Sequence, residues 1–155
     1  MADAQSQIDH LKRQRELLQR ALQSFSADKF ENRVPNKWSA REHFAHLARH
    51  QETYLARIQK ILTEEKPALP SYIAESDAQW PEWLRLPLNE IEKRWTAQRS
   101  ALMDLLQKLS PDQLRRIGTH STLGELTLLE WLDFFLVHEG HHQLAILKLI
   151  RGRTS

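Results

Sequence analysis

Residues 127–152, TLLEWLDFFLVHEGHHQLAILKLIRG, contain the clearest structural pattern in the chain. Thr127 followed three residues later by Glu130 is the spacing of a helix N-terminal capping box, and Gly152 is a typical helix end. Between them, one set of side chains recurs at steps of four and three, which places the set on one helix face. Its members are Trp131, Phe135, His138, His142, Ala145 and Leu149. We predict an amphipathic helix to about Ile150, with two histidines on its buried face.

Three more helices are predicted upstream. Apolar residues at steps of three, four or seven mark a first helix over about residues 5–26. A capping box of Ser39 and Glu42 opens a second helix that runs to about Leu62. Asn89 with Glu92 offers the cap of a third helix, which stops where Ser110-Pro111-Asp112 begins one extra turn. Because no strand pattern is found, the predicted fold is an all-α four-helix bundle.

The connection between the second and third predicted helices is long, roughly 25 residues. Pro67, Pro70, Pro81 and Pro87 prevent one regular helix there. Such a crossover lets the third helix run parallel to the second. Two tryptophans of this segment are predicted to pack it onto the bundle, with covering the open end of a metal site as the alternative. They are Trp80 and Trp83.

Length and composition limit the function. At 155 residues the chain fits a single domain over 1–155. Lys+Arg 22 and Asp+Glu 20 give a net charge of +2 with both signs interspersed, so no nucleic-acid partner is expected. No cysteine is present, so any metal must be held by nitrogen and oxygen donors. No membrane-length apolar run or leader-like segment is found, so we expect a soluble, cytoplasmic protein without a membrane partner.

The histidine pair of the last helix suggests metal binding. Imidazoles four residues apart point the same way from neighbouring turns and suit divalent transition metals. Residues 138–142 also match H-E-x-x-H, the zinc-peptidase motif in which the glutamate is general base. Such peptidases take a third ligand downstream, but no His, Asp or Glu follows His142. Glu139 is rotated by about 100° from His138 on a helix, so we assign Glu139 no catalytic role and expect the third ligand upstream.

The second helix offers three candidates for that ligand, His43, His46 and His50. At helical periodicity, His43 and His50 lie nearer the centre of the apolar face than His46 does. That face is formed by Phe44, Leu47, Tyr54, Ile58 and Leu62. Spacing alone therefore favours His43 or His50.

Several motifs resemble those of DinB-like proteins. Residues 38–47, WSAREHFAHL, are similar to the "WS…E…HL" opening of the family's second helix, and residues 138–142 to its "HExxH" fourth helix. The Leu-Ser-Pro at 109–111 and the GELTLLEW at 124–131 also resemble family motifs, so the similarity covers nearly the whole chain. Each motif is weak alone, but their order and spacing together are fairly specific.

This resemblance implies an up-down-down-up four-helix bundle and a metal site of three histidines. The histidine before Leu47 is the family's ligand on the second helix, so the implied metal ligands are His46, His138 and His142. The other nearby histidines, His43, His50 and His141, are then surface or supporting residues. The chain departs from the family in having Ala145 three residues after the last ligand, where many members have glutamine, while its Gln143 is displaced by two.

Three imidazoles leave positions open for water or substrate, as catalytic zinc sites do. The resemblance implies a metal-dependent enzyme, a thiol-dependent S-transferase using a low-molecular-weight thiol or a hydrolase using water. The ion would be a divalent transition metal, Zn, Ni, Fe or Mn, and the partner a small-molecule substrate. Catalytic residues are not identified, although Tyr54, Glu130 and Asp133 are candidate pocket groups.

Two other interpretations remain open at this level. In the first, the chain is a non-catalytic, stress-associated metal-binding module, which could pair as a homodimer through an exposed helix face. In the second, no metal binds and the histidines are core or surface residues. A substrate pocket beside the metal would favour the enzyme over the binding module.

Overall fold

The computed structural model describes residues 3–153. Its helices are α1 (Gln5–Ser24), α2 (Ala40–Thr63), α3 (Trp80–Arg85), α4 (Leu88–Lys108), α5 (Pro111–Leu114) and α6 (Leu128–Ile150). Short 3₁₀ helices cover Ala27–Glu31 and Ala74–Ser76. The four long helices, α1, α2, α4 and α6, pack as a bundle in which α2 lies between α4 and α6, and α1 lies between the same two helices on the opposite side. The all-α prediction is confirmed.

The contacts between α1 and α6 give their relative direction. Near the start of both helices, Gln7 donates a hydrogen bond to Asp133. Further along both, Gln143 donates to the backbone carbonyl of Gln14. Residue numbers rise together in the two helices, so α1 and α6 run parallel.

The contacts of α2 with α4 and α6 give its direction in the same way. The ring of Phe44 meets that of Trp95 edge to face, and Gln98 donates to Glu52, so α2 and α4 run parallel. The contacts of α2 with α6 run the opposite way, because α2 residues near its start meet α6 residues near its end. The bundle is therefore up-down-down-up, as predicted, and the crossover between α2 and α4 makes it so.

Two of the three predicted helix caps are confirmed, at Ser39 and Thr127, and the extra turn predicted at Ser110 also begins with a cap. Ser39, Ser110 and Thr127 each accept a hydrogen bond from the backbone N–H three residues on, and each forms a full capping box. The predicted cap at Asn89 is wrong, because α4 begins one residue earlier and its N-cap is Pro87. Proline fixes φ in the required range, and Asn89 lies exposed in the first turn.

The prediction of no strands is also wrong. Three short strands form one sheet, β1 (Ala68–Leu69), β2 (Ile117–His120) and β3 (Gly124–Thr127). β1 pairs parallel with β2, and β2 pairs antiparallel with β3. Two to four residues are too few to show an alternating pattern in sequence. This sheet ties the crossover to the segment between α5 and α6.

Both tryptophans of the crossover are buried and pack into the core, as predicted. Trp83 lies under the Arg94 guanidinium, and the Trp80 ring lies 5.2 Å from that of Trp38. Among the described residues, no helix combines the length and apolar character needed to cross a membrane.

Candidate metal centre

The antiparallel packing of α2 and α6 brings the three implied metal ligands together. Each of His46, His138 and His142 has a ring nitrogen within 4.8 Å of one on the other two. His46 Nε2 lies 3.3 Å from His138 Nε2. The His142 ring centroid is 4.5 Å from that of His46 and 4.7 Å from that of His138. Within residues 3–153, this is the one group of three or more potential ligands found at such spacing.

The two alternative histidines of α2 flank this group on opposite sides. His43 Nδ1 lies 3.0 Å from His142 Nδ1, and the His43 ring meets Trp38 edge to face. His50 is buried, stacks on Phe135 and has its ring centroid 4.2 Å from that of His138. The His50 ring centroid also lies 5.9 Å from that of His46, but neither His43 nor His50 joins the group whose ring nitrogens all lie within 4.8 Å of one another.

Burial keeps these imidazoles neutral. Burial first and the neighbouring imidazoles second lower the pKa of His46 to about 3, of His138 to about 4 and of His142 to about 2. The pKa of His50 is also lowered well below its usual value, by burial first. Neutral imidazole is the form that ligates a metal ion.

The unpaired nitrogens of the cluster fit the same chemistry. Within the described chain, the Nδ1 atoms of His46, His50 and His138 are buried and lack a hydrogen-bond partner. Buried polar atoms without partners cost free energy. When one Nε2 of the His46–His138 pair donates to the other, the Nδ1 of the donating ring keeps a lone pair without a partner. A divalent cation would accept lone pairs from the group without requiring any proton. The donor set therefore fits a transition metal.

Aromatic rings form the wall on the crossover side. Tyr72 stacks on His46 with ring centroids 5.7 Å apart, and Trp38 and Trp80 lie 5.0 and 6.1 Å from the same imidazole. The Tyr72 hydroxyl donates to Asp77 at 2.7 Å, and Arg49 donates to both oxygens of that carboxylate. The Arg49 hydrogen bond lowers the pKa of Asp77 to about 2, and burial raises that of Tyr72. This chain of contacts fixes the crossover against α2.

Glu139 does not join the histidines. Its carboxylate is buried on the core side of α6 and forms an ion pair with Arg99, which is itself fully buried. Arg99 also donates to Gln51 at 2.6 Å and to the Leu11 carbonyl at 2.9 Å. A glutamate held this way cannot reach a nucleophile at the cluster, as its helical position predicted. The buried position of Arg99 was not predicted from the sequence. It could have been, because Arg99 lies four residues after Trp95 and three before Leu102, on the apolar stripe of α4.

The three candidate pocket groups have other roles. Tyr54 is buried and stacks on Phe135 at 4.5 Å, Glu130 completes the Thr127 capping box, and Asp133 accepts from Gln7. Gln143, displaced from the family position, is buried but donates to the α1 backbone and not to a histidine.

The bundle topology and the three-histidine cluster together define a class of protein. The cluster lies between the second and the last long helices, and comparison of the sequence with protein families identifies the class. The family model of the DinB superfamily matches residues 10–146. The chain belongs to the DinB superfamily, and the resemblance inferred from its motifs is confirmed.

Among individual proteins, the chain is similar to two from Oceanobacillus iheyensis, OB0413 and OB0782, each named a putative metal-dependent hydrolase. It is 27% identical to OB0413 over 118 residues, which cover 76% of this chain and 67% of that protein. It is 27% identical to OB0782 over 126 residues, which cover 75% of this chain and 67% of that protein.

Two solved structures from Bacillus subtilis share the fold. YfiT, described as a probable metal-dependent hydrolase with an unusual four-helix bundle topology, superposes with a TM-score of 0.83 at 22% identity. The match covers 99% of this chain and 91% of YfiT. The DinB-like protein YjoA superposes with a TM-score of 0.63 at 18% identity, over 95% of this chain and 90% of that one. At these identities the likeness concerns the fold.

Proposed function

We propose that the chain binds one divalent transition-metal ion through His46, His138 and His142 and uses it as a metal-dependent hydrolase. The observation that carries this proposal is the convergence of three neutral imidazoles, one buried and two half-buried, from two antiparallel helices. Three protein ligands leave coordination positions free, which is typical of catalytic sites. The names of the two Oceanobacillus relatives support the same class of activity.

The residues around the site have definable tasks. A bound ion would supply Lewis acidity that lowers the pKa of a nucleophile or polarises a carbonyl group. His46, His138 and His142 hold it without net charge, so the ion would keep its full positive charge. Tyr72, Trp38 and Trp80 exclude water from the crossover side, because their rings cover His46.

A cavity beside the cluster favours catalysis over simple metal storage. It measures about 250 Å³ and is lined by His50 and His138 among others. A small molecule in this cavity would therefore lie next to one of the three ligands. A low-molecular-weight thiol fits such a space as well as water does, so thiol transfer is the second activity to test.

Metal content tests the site first. Untagged protein would be analysed by inductively coupled plasma mass spectrometry, as wild type and as His46→Ala and His142→Ala variants. We expect about one transition-metal ion per chain in wild type and almost none in either variant. His141→Ala is the matched control, because His141 is exposed on the same helix and should leave metal content unchanged.

The alternative ligands are tested in the same way. His43→Ala and His50→Ala should retain most of the metal, since neither belongs to the group whose ring nitrogens all lie within 4.8 Å of one another. Loss of the ion in either of these variants with retention in His46→Ala would replace His46 as the ligand. Wild type that stays metal-free after exposure to Zn, Ni, Fe and Mn would overturn the proposal. Metal-loaded protein would then be assayed on ester and amide substrates, and with thiols and electrophiles.

A further inference from the structure

The cavity beside His138 has a composition that selects its ligand. It lies where the end of the crossover and the β2–β3 turn approach α2 and α6, and nine described residues line it. Seven of the lining residues are polar, and the other two are Leu123 and Phe134. The polar residues are His50, Arg57, Ser71, Tyr72, His120, Thr122 and His138. None of the nine lining residues is acidic.

Arg57 supplies the one formal charge of this cavity. Its Nη2 donates to the Pro70 carbonyl at 2.7 Å, and its guanidinium lies 5.7 Å from the centre of the Trp131 ring. Within residues 3–153, Arg57 forms no ion pair with a carboxylate, although it is only partly exposed. Four of its five N–H donors remain uncommitted. A half-buried cation without a counter-ion is a site for an anion.

His120 presents a fixed hydrogen-bond donor to the same cavity. Its Nδ1 accepts from the backbone N–H groups of Thr122 at 3.0 Å and Leu123 at 3.1 Å. A nitrogen that accepts twice carries no proton, so the proton of the neutral ring lies on Nε2. Burial first and the Arg57 charge second lower the pKa of His120, which keeps the ring neutral. Nε2–H therefore donates to the Ser71 hydroxyl oxygen at 3.4 Å, which orients Ser71. The Ser71 hydroxyl also lies 3.0 Å from that of Ser121, and when Ser121 is the donor the Ser71 O–H is free to donate into the cavity.

Resting on the metal function proposed above, we propose that this cavity binds the carboxylate of a small organic acid, with Arg57 as its counter-ion and the Ser71 hydroxyl, oriented by His120, as a donor. The reactive end of the same molecule then lies at His138. Arg57 and Ser71 are binding residues and His120 positions Ser71, so the three together fix which end of the substrate meets the ion.

Charge and size favour a carboxylate over a phosphate. Apart from the ion, which the reactive end of the substrate meets, the cavity's own residues offer one positive charge, at Arg57. A monoanionic group there is neutralised, while a dianionic group leaves a negative charge partly buried. A planar carboxylate also matches the fork of a guanidinium. Leu123 and Phe134 provide apolar surface for a short hydrocarbon chain, and about 250 Å³ admits only a small molecule.

Binding of matched acid and neutral probes tests the proposal. On zinc-loaded protein, isothermal titration calorimetry would compare 3-mercaptopropionate with 3-mercaptopropan-1-ol, which has the same chain and thiol but no charge. We expect wild type to prefer the acid by about tenfold or more, the size of one charge-assisted pair. Arg57→Gln should remove this preference while leaving the affinity for the alcohol unchanged.

Two further variants guard against indirect effects. Lys60→Gln removes a positive charge one turn along α2, outside this cavity, and should keep the full preference. Arg57→Lys keeps the positive charge but lacks the planar guanidinium, so it should keep part of the preference for the acid. If Arg57→Gln does not fold, Ser71→Ala removes one exposed donor and should weaken only the acid. Equal binding of acid and alcohol by metal-loaded wild type would overturn the carboxylate assignment and leave the metal proposal standing.

A metal-free comparison separates the two proposals. Butyrate and butyramide would be titrated into apo protein, where no ion can attract the carboxylate. Preference for butyrate that disappears in Arg57→Gln would support the cavity assignment even if wild type never binds a metal. Equal affinity for butyrate and butyramide would overturn the carboxylate assignment, whether or not the protein binds a metal.

Discussion

Glu139 and His138 are neighbours in the chain but lie in different environments. A helix turns successive side chains by about 100°, so α6 directs His138 to the cleft shared with α2 and Glu139 to the core. There the Glu139 carboxylate neutralises Arg99, a charge that could not remain buried alone. The H-E-x-x-H pattern is thus divided between two functions, a candidate metal ligand pair and a structural ion pair.

Removing one partner of this ion pair should be costly. Glu139→Ala leaves a fully buried guanidinium without its counter-ion, and we expect a loss of about 3–5 kcal/mol in the free energy of unfolding. Urea denaturation followed by circular dichroism measures it. Glu125→Ala is the control, because Glu125 pairs with Lys66 at 3.4 Å on the surface and should cost less than about 1 kcal/mol. A loss of bound metal without a loss of stability would instead assign Glu139 to the site.

The site residues differ in how far the sequence reveals them. His138 and His142 were predictable because both lie on one stripe of one helix. The choice of His46 came only from the resemblance, since periodicity favoured His43 and His50. Hydrophobic periodicity shows how near a residue lies to the centre of the apolar face of its own helix. His46 instead lies on the side of α2 that faces α6, and which side that is depends on the angle at which the two helices cross. Arg57 and His120 were missed because no local pattern links a helix residue to a turn more than sixty positions away.

Helix caps were the most predictable elements, because their chemistry is local. Ser39 and Glu42 need only each other and the backbone between them. The failure at Asn89 has an equally local cause, because proline two residues earlier provides a start that needs no side-chain cap.

A pair of alanine substitutions tests this difference. Ser39→Ala removes the hydrogen bond to the Glu42 N–H and should lower stability by about 1 kcal/mol. Asn89→Ala removes no cap and places a better helix former in an exposed first turn, so stability should stay equal or rise by up to about 0.7 kcal/mol. Thermal unfolding of both variants beside wild type measures the effect. A larger loss for Asn89→Ala than for Ser39→Ala would contradict the capping assignment.

The small sheet joins the bundle through a close contact at Gly118. A Cβ atom there would lie 2.9 Å from Ile61 Cγ1, 2.9 Å from Leu69 Cδ1 and 3.0 Å from Trp131 Nε1. The Trp131 N–H also donates to the Gly118 carbonyl at 3.1 Å. Since strand, crossover and helix meet here, the position of the β2–β3 turn depends on this residue.

Gly118→Ala should therefore destabilise the protein through overpacking, by about 1–3 kcal/mol. It should also displace His120, two residues along β2, and so weaken the binding of the acid probes. Gly140→Ala is the control, because its Cβ would meet only Gln14 Nε2 at 3.5 Å within α6. Replacing this helical glycine by alanine should raise the free energy of unfolding by up to about 1 kcal/mol. Chemical denaturation of the two variants is the measurement, and unchanged stability in Gly118→Ala would show that the contact relaxes freely.

At the scale of the whole molecule, the crossover does two things at once. It makes α2 and α4 parallel, which the length of the connection allowed us to predict. It also brings Tyr72 over His46 and Ser71 to the β2–β3 turn, which the sequence did not indicate, because both contacts depend on pairing between β1 and β2. The site is consequently built from the bundle on one side and from irregular segments on the other.

The buried histidines make the whole fold sensitive to acid. Their pKa values in the folded chain lie at about 3 for His46, 4 for His138 and 2 for His142, against the ordinary 6.5. Below pH 6.5 the unfolded chain takes up protons that the folded chain refuses, so the free energy of unfolding falls as pH falls from 6.5 towards 4. We expect the metal-free protein to lose stability steadily between pH 7 and pH 5, where most carboxylates remain ionised.

A bound ion should amplify this dependence. At 100 times its dissociation constant, a metal adds about 2.7 kcal/mol to stability. That increment should disappear on acidification, because protons compete for the same imidazoles. Thermal unfolding at a series of pH values, with and without Zn, measures both effects. His10→Asn, at an exposed histidine of α1, should leave both pH profiles unchanged, whereas His142→Asn should flatten the metal-free profile and abolish the zinc increment. A zinc increment that persists in His142→Asn would place the ion elsewhere in the protein.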